Sequence, residues 1–255
     1  MPSRFATLPY LLIFASKNVV AFLSSTSSRK SFDCDDPKLS SSLLQAVEEA
    51  SFGMGCFWEP AEQLLKVDGV IGTVSGYTGN KIFDTDPSKT VPSYESVCYG
   101  RDWVEGVRVT YDTDKISYPE LLDTFFETQK PQAGSRQYSS MIFPHNDKQL
   151  KLAQDWKETS RERASDGFKN EWTSIEYPRT KFYAAEGYHQ DYWQKQRPRF
   201  ALILVLLAIT TGFGDGLYDP SFEETIKTFA NGGTVAVGLA ITVERFLDSK
   251  VVELE

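Results

Sequence analysis

Cys56 stands in the stretch SFGMGCFWEPAEQLL, residues 51–65, after Gly53 and Gly55 and directly before Phe57 and Trp58. The segment FWEPAEQLLKV, from Phe57 on, has helical spacing, with Pro60 in the first turn where a missing N–H costs no hydrogen bond. The sulfur therefore falls where a loop becomes a helix, facing unpaired backbone amides and the positive end of the helix dipole. Such a placement favours the thiolate, the nucleophilic form, and predicts a pKa well below the ~8.5 of a free cysteine. Two glycines leave room for a substrate, and two aromatic rings give it an apolar wall. The chemistry implied is attack by sulfur on something small and apolar; the alternative is a buried structural cysteine, the commoner fate of a lone thiol.

Nothing else in the chain offers a competing centre. Its three cysteines, Cys34, Cys56 and Cys98, cannot build a disulfide scaffold, and none belongs to a CxxC pair. His145 and His189 lie far apart in sequence, so no zinc site is expected. A hydrophobic content of 41% and a charged content of 24% are those of a soluble globular protein. The formal net charge of −8 argues against a nucleic-acid surface. There is no internal repeat, and GYTGNK lacks the glycine spacing of a phosphate cradle.

The elements that must position Cys56 alternate between helix and strand. Residues 40–50, SSSLLQAVEEA, read as a short helix and ASFGMG as a brief strand. GVIGTVSGYTG, 69–79, has the β-branched content and glycine bounds of a strand, and 81–93 reads as a loop. GVRVTYD alternates as a half-buried strand should. Ser117 and Glu120 form a capping box ahead of the apolar face of Leu121, Leu122, Phe125 and Phe126. YSSMIF is a strand candidate, DKQLKLAQDWKETSRERA a long amphipathic helix, WTSIEY a last strand, and EGYHQDYW a short helix. This order predicts an α+β fold, a two-layer sandwich around a mixed sheet.

Both ends differ from the middle. Residues 1–32 carry Arg4, Lys17, Arg29 and Lys30 but no acid, and pass from an apolar core to a Ser-rich continuation. They read as a targeting leader and resemble the two-part plastid leaders of algae with secondary plastids, with a plain secretory signal or a cytoplasmic protein as alternatives. At the other end, FALILVLLAITTGF (200–213) and TVAVGLAITV (234–243) are apolar, each shorter than the roughly 20 residues of a spanning helix. Three parts are expected: the leader 1–32, a folded domain 40–196, and an apolar extension 197–255 able to serve as a membrane anchor.

GCFW at 55–58 resembles the signature of the A-type peptide methionine sulfoxide reductases, and the likeness continues in order. GVIGTVSGYTG, PSYESVCYG (92–100), VEGVRVTYD, ISYPELLDTFFE, QYSSMIF and AAEGYHQDYW each have a counterpart, over roughly residues 48–195. The resemblance implies a ferredoxin-like core and thiol-dependent reduction of methionine S-sulfoxide, free or in proteins. Cys56 is then the nucleophile that passes through a sulfenic acid, and Glu105 the acid that protonates the departing oxygen. Tyr94 and Tyr138 match the phenols that bind that oxygen, Phe57 and Trp58 the pocket for the S-methyl group, and His189 a supporting histidine. Bound cofactors and metals are not implied; an external thiol is.

Three departures from the family pattern stand out. GRDWVE is one residue shorter than the usual approach to the acid and lacks its histidine. AGSRQY puts Ala133 where an aspartate is usual. The tail from 195 to 255 has no recycling cysteine. The Cys56 sulfenic acid must therefore be resolved by Cys98, by Cys34, or by thioredoxin, glutaredoxin or glutathione, the external thiol being favoured. An alternative reading is a catalytically weakened module, tethered to a membrane, that binds methionine sulfoxide without turning it over.

Overall fold

The computed structural model describes residues 47–86, 91–92, 94–99, 102–163 and 173–254. The expected targeting leader, residues 1–32, and Cys34 lie outside the described residues. Seven strands form one sheet: β1 (Val47–Met54), β2 (Val70–Thr78), β3 (Val104–Asp112), β4 (Ser140–Phe143), β5 (Ser174–Ile175), β6 (Phe182–Ala184) and β7 (Val252–Leu254). Their spatial order is β5-β4-β1-β3-β2-β6-β7. Among the described strand pairs, only β4–β5 is parallel.

The helices are α1 (Trp58–Leu65), α2 (Lys81–Thr85), α3 (Tyr94–Tyr99), α4 (Tyr118–Thr128), α5 (Asp147–Arg163), α6 (Tyr192–Thr210) and α7 (Pro220–Leu247). The antiparallel quartet β4-β1-β3-β2, with α1 joining β1 to β2 and α4 joining β3 to β4, is the expected ferredoxin-like core. α1 packs on β2 and α4, and α4 packs on β1 and α5. The Ser117–Glu120 capping box is present: the Ser117 amide donates to Glu120 Oε2 at 2.8 Å, and the Glu120 amide donates to Ser117 Oγ at 3.4 Å. It starts α4 at the place that lays Phe125 on Phe52 of β1, ring centroids 5.0 Å apart.

Several local expectations give way to the sheet. The helix expected through residue 50 is strand from Val47 onward, because pairing with β3 buries Ala50, Phe52 and Met54 and matches Glu48 with the Tyr111 hydroxyl at 2.9 Å. A buried strand register outweighs the helical preference of Glu-Glu-Ala. The loop expected over 81–93 contains α2, capped by Asn80 Oδ1, which accepts from the Phe83 amide. WTSIEY contributes only the two residues of β5 and is not the last strand, since β6 and β7 come after it.

The expected boundary at residue 197 falls inside a helix. α6 runs unbroken from Tyr192 through Pro198, α7 lies antiparallel to it, and β7 returns to pair with β6. The two apolar runs are thus one helical hairpin whose far end completes the sheet.

Candidate active site

Gly55 comes directly after β1 with φ +85°, and a Cβ there would meet the Lys130 carbonyl at 2.1 Å. Only glycine permits that approach, which lets Met54 and Gly55 pair with Lys130 and turns the chain into α1. Cys56 sits on the turn, half-buried, immediately before the N-cap residue Phe57. The expected helix-terminus contribution is present, since the Trp58 amide lowers the thiol pKa. It does not win. Burial, followed by the negative charges of Glu105 and Glu59, raises the thiol above its ordinary value, so the depressed pKa expected from the dipole alone is corrected. α1 has only eight residues, and partial desolvation of a thiolate beside two carboxylates outweighs its dipole.

Glu105 lies on β3 with 7% of its surface exposed. Its Oε1 accepts from Gln137 Nε2 at 2.7 Å and its Oε2 from the Phe57 amide at 3.3 Å. Burial pushes the carboxyl up to about 7, against the opposing pull of those two donors. A proton is therefore held, near neutrality, on a group bonded to the amide next to the thiol. The shortened GRDWVE approach is accommodated by Trp103, which is buried against Phe83 and Tyr183 at 4.9 and 5.7 Å.

Phe57 and Trp58 divide the aromatic work. Phe57 is buried, its ring 5.9 Å from Tyr77 and 5.3 Å from His189. Trp58 is only partly buried and is held on two sides: its Nε1–H donates to His189 Nδ1 at 3.0 Å, and its face stacks on Tyr192 at 3.8 Å and 4°. Burial, reinforced by Arg245, lowers His189 to about 4, so the ring is neutral and its Nδ1 can accept. Gln190 pins this segment to β2, donating to the Ser75 carbonyl at 2.8 Å and accepting from the Ser75 amide at 3.0 Å.

Tyr138 is partly buried and pushed up to about 12 by burial, then by the charges of Glu105, Cys56 and Cys98. The structure thus brings Tyr138 into one electrostatic neighbourhood with both the thiol and the acid. Tyr94 opens α3, but its side chain lies outside the described residues. Cys98 is half-buried on α3. Ala133 is exposed on the turn that leads to Tyr138. Three supporting residues escape sequence reasoning: Gln137, Tyr192 and Lys130, whose Nζ pairs with Glu59 at 2.7 Å. For Gln137 a signal exists, its place beside Tyr138 in the motif QY.

A family model described as peptide methionine sulfoxide reductase matches residues 48–209. Peptide methionine sulfoxide reductase MsrA of Methanothermobacter thermautotrophicus is 36% identical over 175 residues, 65% of this chain and 97% of that one. Its counterpart from Methanosarcina acetivorans is 37% identical over 160 residues, covering 60% and 80%. Among solved structures, methionine sulfoxide reductase A of Corynebacterium diphtheriae aligns with a TM-score of 0.51 at 25% identity, covering 60% of this chain and 76% of that one.

Proposed function

Since the chain belongs to the peptide methionine sulfoxide reductase family, we propose that it reduces the S epimer of methionine sulfoxide, free or in proteins, through a sulfenic acid on Cys56. The Cys56 thiolate attacks the sulfoxide sulfur while Glu105 delivers its proton to the oxygen. The oxygen passes to the cysteine sulfur, the thioether leaves as methionine, and Cys56 is left as –SOH, oxidised by two electrons. Two equivalents of an external thiol then return it to –SH, releasing water and a disulfide. Thioredoxin, glutaredoxin or glutathione fits that role.

One observation carries this reading: the carboxyl raised to about 7 is hydrogen-bonded to the amide directly after the half-buried thiol. An acid that still holds a proton part of the time at neutral pH supplies what a sulfoxide oxygen needs in order to leave. Tyr138, and Tyr94 by family likeness, would donate hydrogen bonds to the same oxygen, while Trp58 offers the S-methyl group an apolar wall. The acid-free leader supports delivery to a plastid.

The test is turnover of the resolved sulfoxide epimers with dithiothreitol. Cys56→Ser abolishes it for the S epimer, and one equivalent of sulfoxide leaves a dimedone-reactive Cys56 in the wild type. Turnover by the serine variant would reject the mechanism. Mass spectrometry of the oxidised chain checks the resolving thiol; a stable Cys56–Cys98 or Cys34–Cys56 disulfide would displace the external thiol.

A further inference from the structure

The base of α6 holds Trp58 through Tyr192, but beyond Arg199 the hairpin of α6 and α7 touches none of the candidate site residues, and the family match ends at residue 209, near the end of α6. We infer that this hairpin crosses a lipid bilayer twice, with the reductase domain and the C-terminal strand on one side and the tip, residues 215–219, on the other.

Two layers of charge bound it. At the base, Glu244 pairs with Lys195 at 3.3 Å and with Arg199. At the tip, Lys227 pairs with Asp215 at 2.7 Å. Between the layers, residues 200–214 and 228–243 contain no Asp, Glu, Lys or Arg. From Lys227 to Glu244 the helical rise is about 25 Å, a little under the roughly 30 Å of a hydrocarbon core. Lys and Arg stems snorkelling at both ends cover that difference.

The slab meets the conditions lipid imposes. Its hydroxyls are satisfied within their own helices: Thr210 and Thr211 donate to the Leu207 carbonyl, Thr234 to Ala230 and Thr242 to Gly238. Asn231, the one side-chain amide in the slab, lies a single turn inside the Lys227 layer. Gly233 lets the helices close on each other, its absent Cβ facing Leu206 at 3.2 Å.

Exposure chooses lipid over a protein partner. Of the described helices α7 alone is long and apolar enough to span by itself, yet almost none of its apolar window is buried. On α6, Leu202, Leu204, Val205 and Leu207 are all exposed, and at 3.6 residues per turn they point around the whole circumference. A second copy or a docking protein would cover one face, whereas a helix apolar on every side and not buried in protein is suited to a membrane.

Connectivity sets the sidedness. Pro198 separates the part of α6 stacked on Trp58 from its apolar arm. At the other leg the Gly187 amide donates to the Asp248 carbonyl at 2.9 Å, and β7 pairs with β6. Both legs are fixed to the same domain, so only the tip can lie across the bilayer.

The test is cell-free synthesis of the full chain with sealed phosphatidylcholine–phosphatidylglycerol vesicles, which leaves the reductase domain outside. The chain should float with the vesicles and resist alkaline carbonate. A Leu204→Asp, Val235→Asp double variant should stay in the soluble fraction with sulfoxide turnover unchanged. In a background without native cysteines, Ser249→Cys should react at once with an impermeant maleimide, and Tyr218→Cys only after the vesicles are permeabilised. A wild-type chain that stays soluble, as a monomer or a dimer, overturns the inference. Equal labelling at both positions in intact vesicles overturns the crossing, and the labelling pair stands even where the double variant fails to fold.

Discussion

The amide of Phe57 donates to Glu105 Oε2 at 3.3 Å, tying the buried carboxyl of β3 to the residue next to Cys56. Each of the two groups then titrates in the field of the other. A Glu105 carboxylate raises the Cys56 thiol, and a Cys56 thiolate favours the protonated acid. This coupling disfavours the state in which both groups are charged, so the proposed mechanism draws on the singly charged site, with one proton distributed between thiol and carboxyl.

Replacing Glu105 by Gln should move two measurements in opposite directions. Removing the carboxylate takes away one of the charges that raise the thiol, so iodoacetamide should alkylate Cys56 faster than in wild type at about pH 8. Sulfoxide turnover, deprived of its acid, should fall ~100-fold or more. A variant slower in both assays would mean that Glu105 merely supports the turn around Cys56.

The pH dependence of kcat/KM should show the same pair. Below the Glu105 value of about 7 the acid is protonated and the rate climbs as the thiol ionises. Above it, each gain in thiolate is cancelled by loss of the protonated acid, so the profile flattens until the thiol itself has titrated. Glu105→Gln should lack that bend and keep climbing beyond pH 7 from its lower level. A bend that survives the substitution would assign it to another group.

Legibility in the sequence tracks the range of the interactions. The capping box of α4 and the alternation of β3 are set by residues a few positions apart, and both are legible. Val47–Ala50 looks helical because the β3 partner that makes it a strand is some 60 residues away. The place of Cys56 at a helix start is legible for the same reason that its acidity is not. The dipole is local, whereas burial and the Glu105 charge come from the assembled fold. The grip of Gln137 on Glu105 and the return of β7 to the sheet are likewise tertiary facts with little local signature.

Stability should also report Glu105. Its folded pKa of about 7 lies above its ordinary 4.5, so its contribution is full at low pH and is lost as pH rises through 7. That difference corresponds to on the order of 3 kcal/mol. Glu105→Gln never carries the charge and should gain about that much on wild type between about pH 4 and pH 8, read from urea midpoints. An advantage that does not grow with pH would show that the carboxylate is not charged at a cost in the folded state.

Trp58 owes its position to the base of the apolar hairpin, since Tyr192 both stacks on its face and opens α6. Such a stack is worth about 0.5–1.5 kcal/mol beyond the area it covers. Tyr192→Ala should therefore raise KM for methionine sulfoxide by roughly 2- to 10-fold, while kcat, set by Cys56 and Glu105, changes little. Tyr192→Phe keeps the ring and should restore KM. His189→Ala, which removes the acceptor of the Trp58 indole N–H, should shift KM in the same sense. If either alanine variant instead lowers kcat with KM unchanged, the tryptophan acts on the reacting atoms rather than as a wall of the methyl pocket.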